Sequence, residues 1–136
     1  MSTKENKARM RRLFEEVNKG KAAAMAAIDR SIDMRGDLKN IKQTISEEFS
    51  AFPDLHYTID DMVAEGDKVA TRVTMTGTHK GEFMGIPPTN KKITIRAIFI
   101  HRFAGGKIVE EHCEYSALDL MQQLGLKEIP TPKKEK

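Results

Sequence analysis

The chain has 136 residues, a length that suits one domain of roughly 100–200 residues and can bury a core without a metal or disulfide framework. Lysine and arginine number 23 against 20 aspartates and glutamates, a net charge of +3 that is too mild and too evenly spread to point to nucleic acid. The single cysteine excludes an internal disulfide, the polar first residues lack an apolar signal core, and no apolar run approaches the roughly 18 residues of a membrane span. A cytoplasmic protein without membrane or nucleic-acid partners is expected.

The first half of the chain has helical periodicity. Met10, Leu13, Phe14 and Val17 recur at three- and four-residue spacing, which predicts an amphipathic helix over residues 4–18 that stops near Gly20. Residues 21–34 are rich in alanine and favour a second helix, with Ala24, Ala27, Ile28 and Ile32 turned inward. Gly36 interrupts, and Asp37 is expected to cap a third helix running to about Ser50 on a stripe of Leu38, Ile41, Ile45 and Phe49. Phe52-Pro53-Asp54 ends helical structure, because proline disfavours the helical conformation at the residue before it.

The period then changes to two. Leu55, Tyr57, Ile59 and Asp61 alternate with His56, Thr58, Asp60 and Met62, the pattern of a strand that ends at the Glu65-Gly66-Asp67 turn. Residues 68–78 form a second strand with Val69, Thr71, Val73 and Met75 on one face. A long loop from His79 to Lys92 carries Gly81, Gly85, Pro87 and Pro88. A third strand over 93–103 places Ile93, Ile95, Ala97, Phe99 and His101 opposite Thr94, Arg96, Ile98 and Ile100. Ala104-Gly105-Gly106 turns into a fourth strand over 107–116, and a short helix over 117–124 stops at Gly125. Residues 1–129 are read as one domain and 130–136 as a mobile tail with nothing to bury. Helices followed by a strand meander predict an α+β fold, with the helices on one face of a curved antiparallel sheet and an apolar cavity between the layers.

Several short segments then become specific together. They are Phe52-Pro53-Asp54, the Ala64-Glu65-Gly66-Asp67-Lys68-Val69 turn, Gly77-Thr78-His79, and Gly81-Glu82-Phe83-Met84-Gly85-Ile86-Pro87-Pro88. Gly106-Lys107-Ile108-Val109-Glu110 and Leu120-Met121-Gln122-Gln123-Leu124-Gly125 complete the set. In these pieces the chain closely resembles the SnoaL-like polyketide cyclases. The resemblance implies the nuclear transport factor 2-like cone, a homodimer formed through the sheet, a small-molecule ligand, and aldol ring closure with neither metal nor organic cofactor. It also implies an acid/base aspartate on the last strand and an assisting histidine on the strand before. By position these fall on Cys113 and Phe99, so both groups are substituted. The Tyr-Val-x-His-like segment that family members tend to carry between helices two and three is missing as well.

Other residues are therefore candidates for the chemistry. Strand alternation puts Val109, Glu111, Cys113 and Tyr115 on one face of the last strand. If that face looks into the cavity, Glu111 is the candidate base; near the cavity mouth it would instead be solvated. Tyr115 and His101 are the candidate hydrogen-bond donors, with His101 otherwise an exposed or capping residue. Cys113 is expected to be a small buried group and His79 to be exposed. His112 falls on the opposite face, where a dimer interface would cover it together with Ile98 and Ile100. Tyr57, Phe83, Met84, Ala97 and Val109 are the expected pocket lining, the segment from Phe83 to Pro88 serving as a rim or packing on its own sheet. Arg72 and Arg96 are expected to pair with carboxylates such as Glu114 or Glu110, or to anchor an anion. No zinc, phosphate-loop or hydrolase-elbow motif is present, and no metal is expected. The competing expectation is a ligand-binding or dimerisation module that has lost the acid/base pair.

Overall fold

The computed structural model describes residues 2–126; the tail expected at 130–136 lies outside them. The first helix, α1 (Thr3–Asn18), begins under a capping box. The Ser2 hydroxyl accepts the Glu5 N–H at 3.1 Å, and the Glu5 carboxylate accepts the Ser2 O–H at 3.0 Å. Its stripe of Met10, Leu13, Phe14 and Val17 is buried, as the spacing predicts. The second helix, α2 (Lys21–Ser31), is shorter than its alanine content suggests. Ile32 is already extended and bridges to Ile108, while the Asp33 N–H donates to the Ile108 carbonyl at 2.9 Å. Pairing with a strand wins over helix propensity there. The third helix, α3 (Ile41–Ala51), starts four residues after Asp37, which caps nothing. Tight turns closed by Lys39 N–H to Gly36 and Ile41 N–H to Leu38 occupy that stretch, and Leu38 is buried from the turn.

Four strands, β1 (His56–Glu65), β2 (Lys68–Thr78), β3 (Lys92–Ala104) and β4 (Lys107–Tyr115), form an antiparallel meander in chain order. The central pair is unbroken, from Lys68 opposite Arg102 to Thr78 opposite Lys92. Val69, Thr71 and Val73 face inward from β2, and Ile93, Ile95, Ala97, His101 and Phe103 from β3. The helices pack on this face, which makes the fold α+β.

Two bulges change which side chains face inward. Between Ile59 and Asp61 the register skips, so Met62, not Asp61, joins the core. A second bulge sits where Arg102 pairs with Glu110 but Phe103 pairs with Ile108. Val109 is the unpaired residue, and Ile108 takes the buried place that strict alternation assigns to it.

Helix ends are tied to the sheet by carboxamides. Asn18, the last residue of α1, accepts the Tyr57 N–H at 2.7 Å and donates to the Tyr57 carbonyl at 2.8 Å. Gln123, at the end of α4 (Ala117–Gln123), accepts the Thr94 N–H at 2.7 Å and donates to its carbonyl at 2.8 Å. Each amide reproduces one rung of a neighbouring strand.

The long loop is anchored at its start. His79 is fully buried rather than exposed: its Nδ1 bonds to the Thr89 hydroxyl at 3.0 Å and its ring lies 5.5 Å from that of Phe52. Asp54 accepts the Thr78 N–H and hydroxyl on its two oxygens; burial raises its pKa, but these two bonds together hold it below the ordinary carboxylate value. Phe83 and Ile86 then exchange backbone hydrogen bonds across a tight turn at Met84-Gly85, both with positive φ.

Gly81 is required by close approach rather than by φ. A Cβ built there would come within 2.1 Å of the Ser50 carbonyl oxygen at the end of α3, and backbone cannot swing aside. Gly81→Ala is expected to destabilise the protein by about 1–3 kcal/mol, read as a lowered urea midpoint with an unchanged slope.

Candidate functional site

Between the helices and the sheet lie two adjoining cavities. The inner one, about 70 Å³, is bounded by α1 and α2 residues such as Met10, Leu13, Val17 and Ile28. The outer one, about 260 Å³, is walled by Phe52, Met75, Phe83, Ile95, Ala97, Tyr115 and Leu120. Six residues border both: Thr44, Glu48, Leu55, Tyr57, Phe99 and Glu111. Phe14 closes the neck from above, its ring centroid 5.4 Å from Tyr57 and 5.8 Å from Phe99.

The polar groups of an otherwise apolar chamber gather at this neck. Glu111 of β4 stands opposite His101 of β3, and its Oε2 lies 3.0 Å from His101 Nε2. His101 is buried rather than exposed at the strand end, because its ring stacks on Phe99 at 5.5 Å and a 13° interplanar angle. Its Nδ1 is buried and has no partner among the described residues, so Nε2 is the ring nitrogen that meets Glu111. The Glu111 side chain keeps 24% of its surface exposed, between the solvated and the fully buried alternatives.

Glu48 enters the same space from α3, with the Tyr57 hydroxyl donating to its Oε2 at a long 3.5 Å. Burial, and then the charge of Glu111, push Glu48 up to about 7, against the opposing pull of the Tyr57 hydrogen bond. The same burial and carboxylates hold the Tyr57 phenol well above its ordinary value. Glu48 is the residue that strand-based reasoning misses. Ile41, Thr44, Ile45 and Glu48 follow the three- and four-residue spacing of the inward face of α3, so a charged group on an apolar stripe was the available signal.

The remaining candidates divide. Tyr57, Phe83 and Ala97 line the outer cavity, as do Tyr115 and Cys113. Met84 does not: it sits at the tip of its tight turn, 64% exposed, while Phe83 packs against Phe52 at 5.3 Å. Val109, displaced by its bulge, lines neither cavity. Cys113 is exposed at the mouth rather than buried, since the inner face of β4 runs out past the helices there. Partial burial against the wall, and then Glu111, Glu48 and Glu114, push its thiol up to about 12, so the thiolate is disfavoured. Phe99 is its register partner. On the outer face Glu110 binds Arg102 at 2.6 Å instead of Arg72 or Arg96, and those two arginines, both exposed, meet no carboxylate at ion-pair distance among the described residues. His112 is also on that face, exposed and 3.6 Å from Glu110.

Helices over one face of an antiparallel sheet, enclosing a small, mostly apolar chamber, make the α+β cone of the nuclear transport factor 2-like fold. The sequence profile of the SnoaL-like polyketide cyclases matches residues 8–124, and the chain belongs to that family. Among solved structures it is similar to AclR from Streptomyces galilaeus, described as a candidate hydroxylase, at 28% identity and a TM-score of 0.82, covering 95% of this chain and 87% of that one. It is also similar to IdmH from Streptomyces antibioticus, described as a candidate polyketide cyclase, at 26% identity and a TM-score of 0.74, over 88% and 98% of the two chains. TsrD from Streptomyces laurentii shares the fold at 24% identity and a TM-score of 0.81, over 92% and 98%. No curated protein matches the sequence.

Glu48 makes stability depend on pH. In the unfolded chain it loses its proton near 4.5, whereas the folded chain holds it to about 7, so stability falls as pH rises between those values and is level beyond them. Glu48→Gln is expected to match the wild type below this window and to exceed it above by roughly 2–4 kcal/mol, measured by urea unfolding across the pH range.

Proposed function

We propose that this chain is a polyketide cyclase-type protein that holds a small organic molecule in the cavity and moves protons beside a carbonyl group, in an aldol cyclisation or an isomerisation. The observation that carries the reading is the His101–Glu111 pair facing the cavity at 3.0 Å with Glu48 against it. The family's histidine and aspartate positions fall on Phe99 and Cys113, which are register partners, and His101 with Glu111 is the next inward rung of the same two strands. A histidine on β3 bonded to a carboxylate on β4 is thus retained, displaced by one rung.

In this reading Glu111 removes a proton from the carbon next to a carbonyl, and His101 orients it through Nε2. The resulting enolate is stabilised by hydroxyl donors, Tyr57 at the neck and Tyr115 at the mouth. Its carbon attacks a second carbonyl of the same molecule, and the alkoxide so formed takes the proton that Glu48 carries near neutral pH. Glu111 leaves the cycle protonated and Glu48 ionised, and a proton passed back between them restores both. A base and an acid of the same residue type are separated by environment alone. A second reading, a binding module without turnover, is favoured by Cys113, whose raised thiol stands where the family has its aspartate.

Turnover of enolisable diketone or ketosteroid probes separates the two. Glu111→Gln is expected to lower the rate roughly a hundredfold to ten-thousandfold while leaving the affinity for an apolar ligand nearly unchanged. An unaffected rate overturns the assignment of Glu111. Tight binding of such probes by the wild type without any turnover decides for the binding module.

The proposal includes a homodimer formed through the outer face of the sheet. Val63, Ile98 and Ile100 are exposed there, Ile98 by 50%, beside His112. Sedimentation at micromolar concentration is expected to give twice the 15.4 kDa chain mass, and Ile98→Lys to return it to the mass of one chain.

A further inference from the structure

Away from the chamber, a cleft of about 320 Å³ opens where α1, α2 and the β3–β4 turn meet. Arg9 and Arg12, three residues apart on one face of α1, line it together with Arg30 and Ser31 from the end of α2. Leu13 and Phe103 form part of its apolar floor. Of these residues only Leu13 also borders the inner cavity, so Glu48, His101 and Glu111 lie outside the cleft.

Among the described residues the three guanidiniums have no ion-pair partner, and Glu5 acts on Arg9 only through its field. Among the described residues none of them makes an ion pair or a side-chain hydrogen bond, and Arg9 Nη1 is sealed from solvent with no partner at all. The nearby carboxylates are engaged elsewhere. Glu16 lines the cleft but binds Lys19 Nζ at 2.9 Å, and Glu5, one turn below Arg9, is held in the capping box by Ser2. A buried guanidinium N–H without an acceptor is costly to the fold, and the fork of an arginine side chain matches the geometry of a tetrahedral oxyanion. Phe103 and Leu13 beside them suit a carbon-bearing group attached to that oxyanion.

We infer that the cleft between α1, α2 and the β3–β4 turn is a binding site for an organic phosphate, whose phosphoryl group is held by Arg9, Arg12 and Arg30. The site is separate from the proposed reaction chamber, and its occupation does not depend on catalysis.

The test uses inorganic phosphate and phenyl phosphate as probes of the full chain, at constant ionic strength with chloride as the control. Both are expected to raise the melting temperature and to broaden their own phosphorus resonances, phenyl phosphate at lower concentration. Arg12→Gln and Arg30→Gln, both at exposed positions that leave folding intact, are expected to weaken binding roughly tenfold each. Arg11→Gln, outside the cleft, and Glu111→Gln, in the chamber, are expected to leave it unchanged. Arg9→Met is expected to abolish the phosphate response without lowering the melting temperature of the free protein, since it removes an unpaired buried group. Tighter binding of inorganic phosphate than of phenyl phosphate would reject the organic part of the ligand. Equal shifts with chloride, or equal responses in wild type and an Arg12→Gln/Arg30→Gln double variant, would overturn the site altogether.

Discussion

Phe14, inserted between Tyr57 of β1 and Phe99 of β3, is the contact on which the interior depends. An aromatic ring at this point holds α1 off the sheet, where smaller side chains would let the layers settle into an ordinary close-packed core. The space that results is divided in two by the same three rings. Tyr57 is thereby fixed beneath Glu48, and Phe99 supplies the flat surface on which His101 stacks. Packing, in this protein, comes before polarity: the ionisable groups occupy positions that the aromatic cluster leaves open.

Much of the architecture could be read from local pattern. Helix stripes and strand alternation each report a single face, and both central strands show the faces they were expected to show, Val69, Thr71 and Val73 on β2 and Ile93, Ile95 and Ala97 on β3. What escaped is what no local pattern encodes. A bulge adds one residue without altering composition, so Met62 and Ile108 change sides with no warning in the sequence. The burial of His79 against Phe52 joins residues far apart in the chain, whereas Phe99 shares the strand face of His101, and what spacing leaves out there is the helix layer that covers them both. Glu48 was legible in principle. It lies on the apolar stripe of α3, but the segments that carry the family resemblance fall in the turns, the long loop and α4, and α3 carries none of them.

Charge in this molecule is segregated by depth. Two carboxylates share the neck, where burial and the charge of Glu111 raise the cost of ionising Glu48, and the fold tolerates the conflict where a structural core would have replaced one of them with leucine. The arginines that would neutralise them are held on the far side of α1, separated by its apolar stripe. Among the described residues no lysine or arginine lines the neck, and burial with the charge of Glu111 holds the Glu48 proton up to about 7.

The paired carboxamides of Asn18 and Gln123 reach beyond their part in fastening helices to strands. The backbone of Tyr57 and that of Thr94 turn their N–H and C=O groups away from the neighbouring strand that pairs with them, and left bare such groups invite a foreign strand to add on. Each amide satisfies both groups at once, like a strand one residue long that leads nowhere further. Recruitment of another polypeptide by β-addition is blocked at these two points, so the dimer proposed through the broad face of the sheet would be held together by side chains instead of backbone.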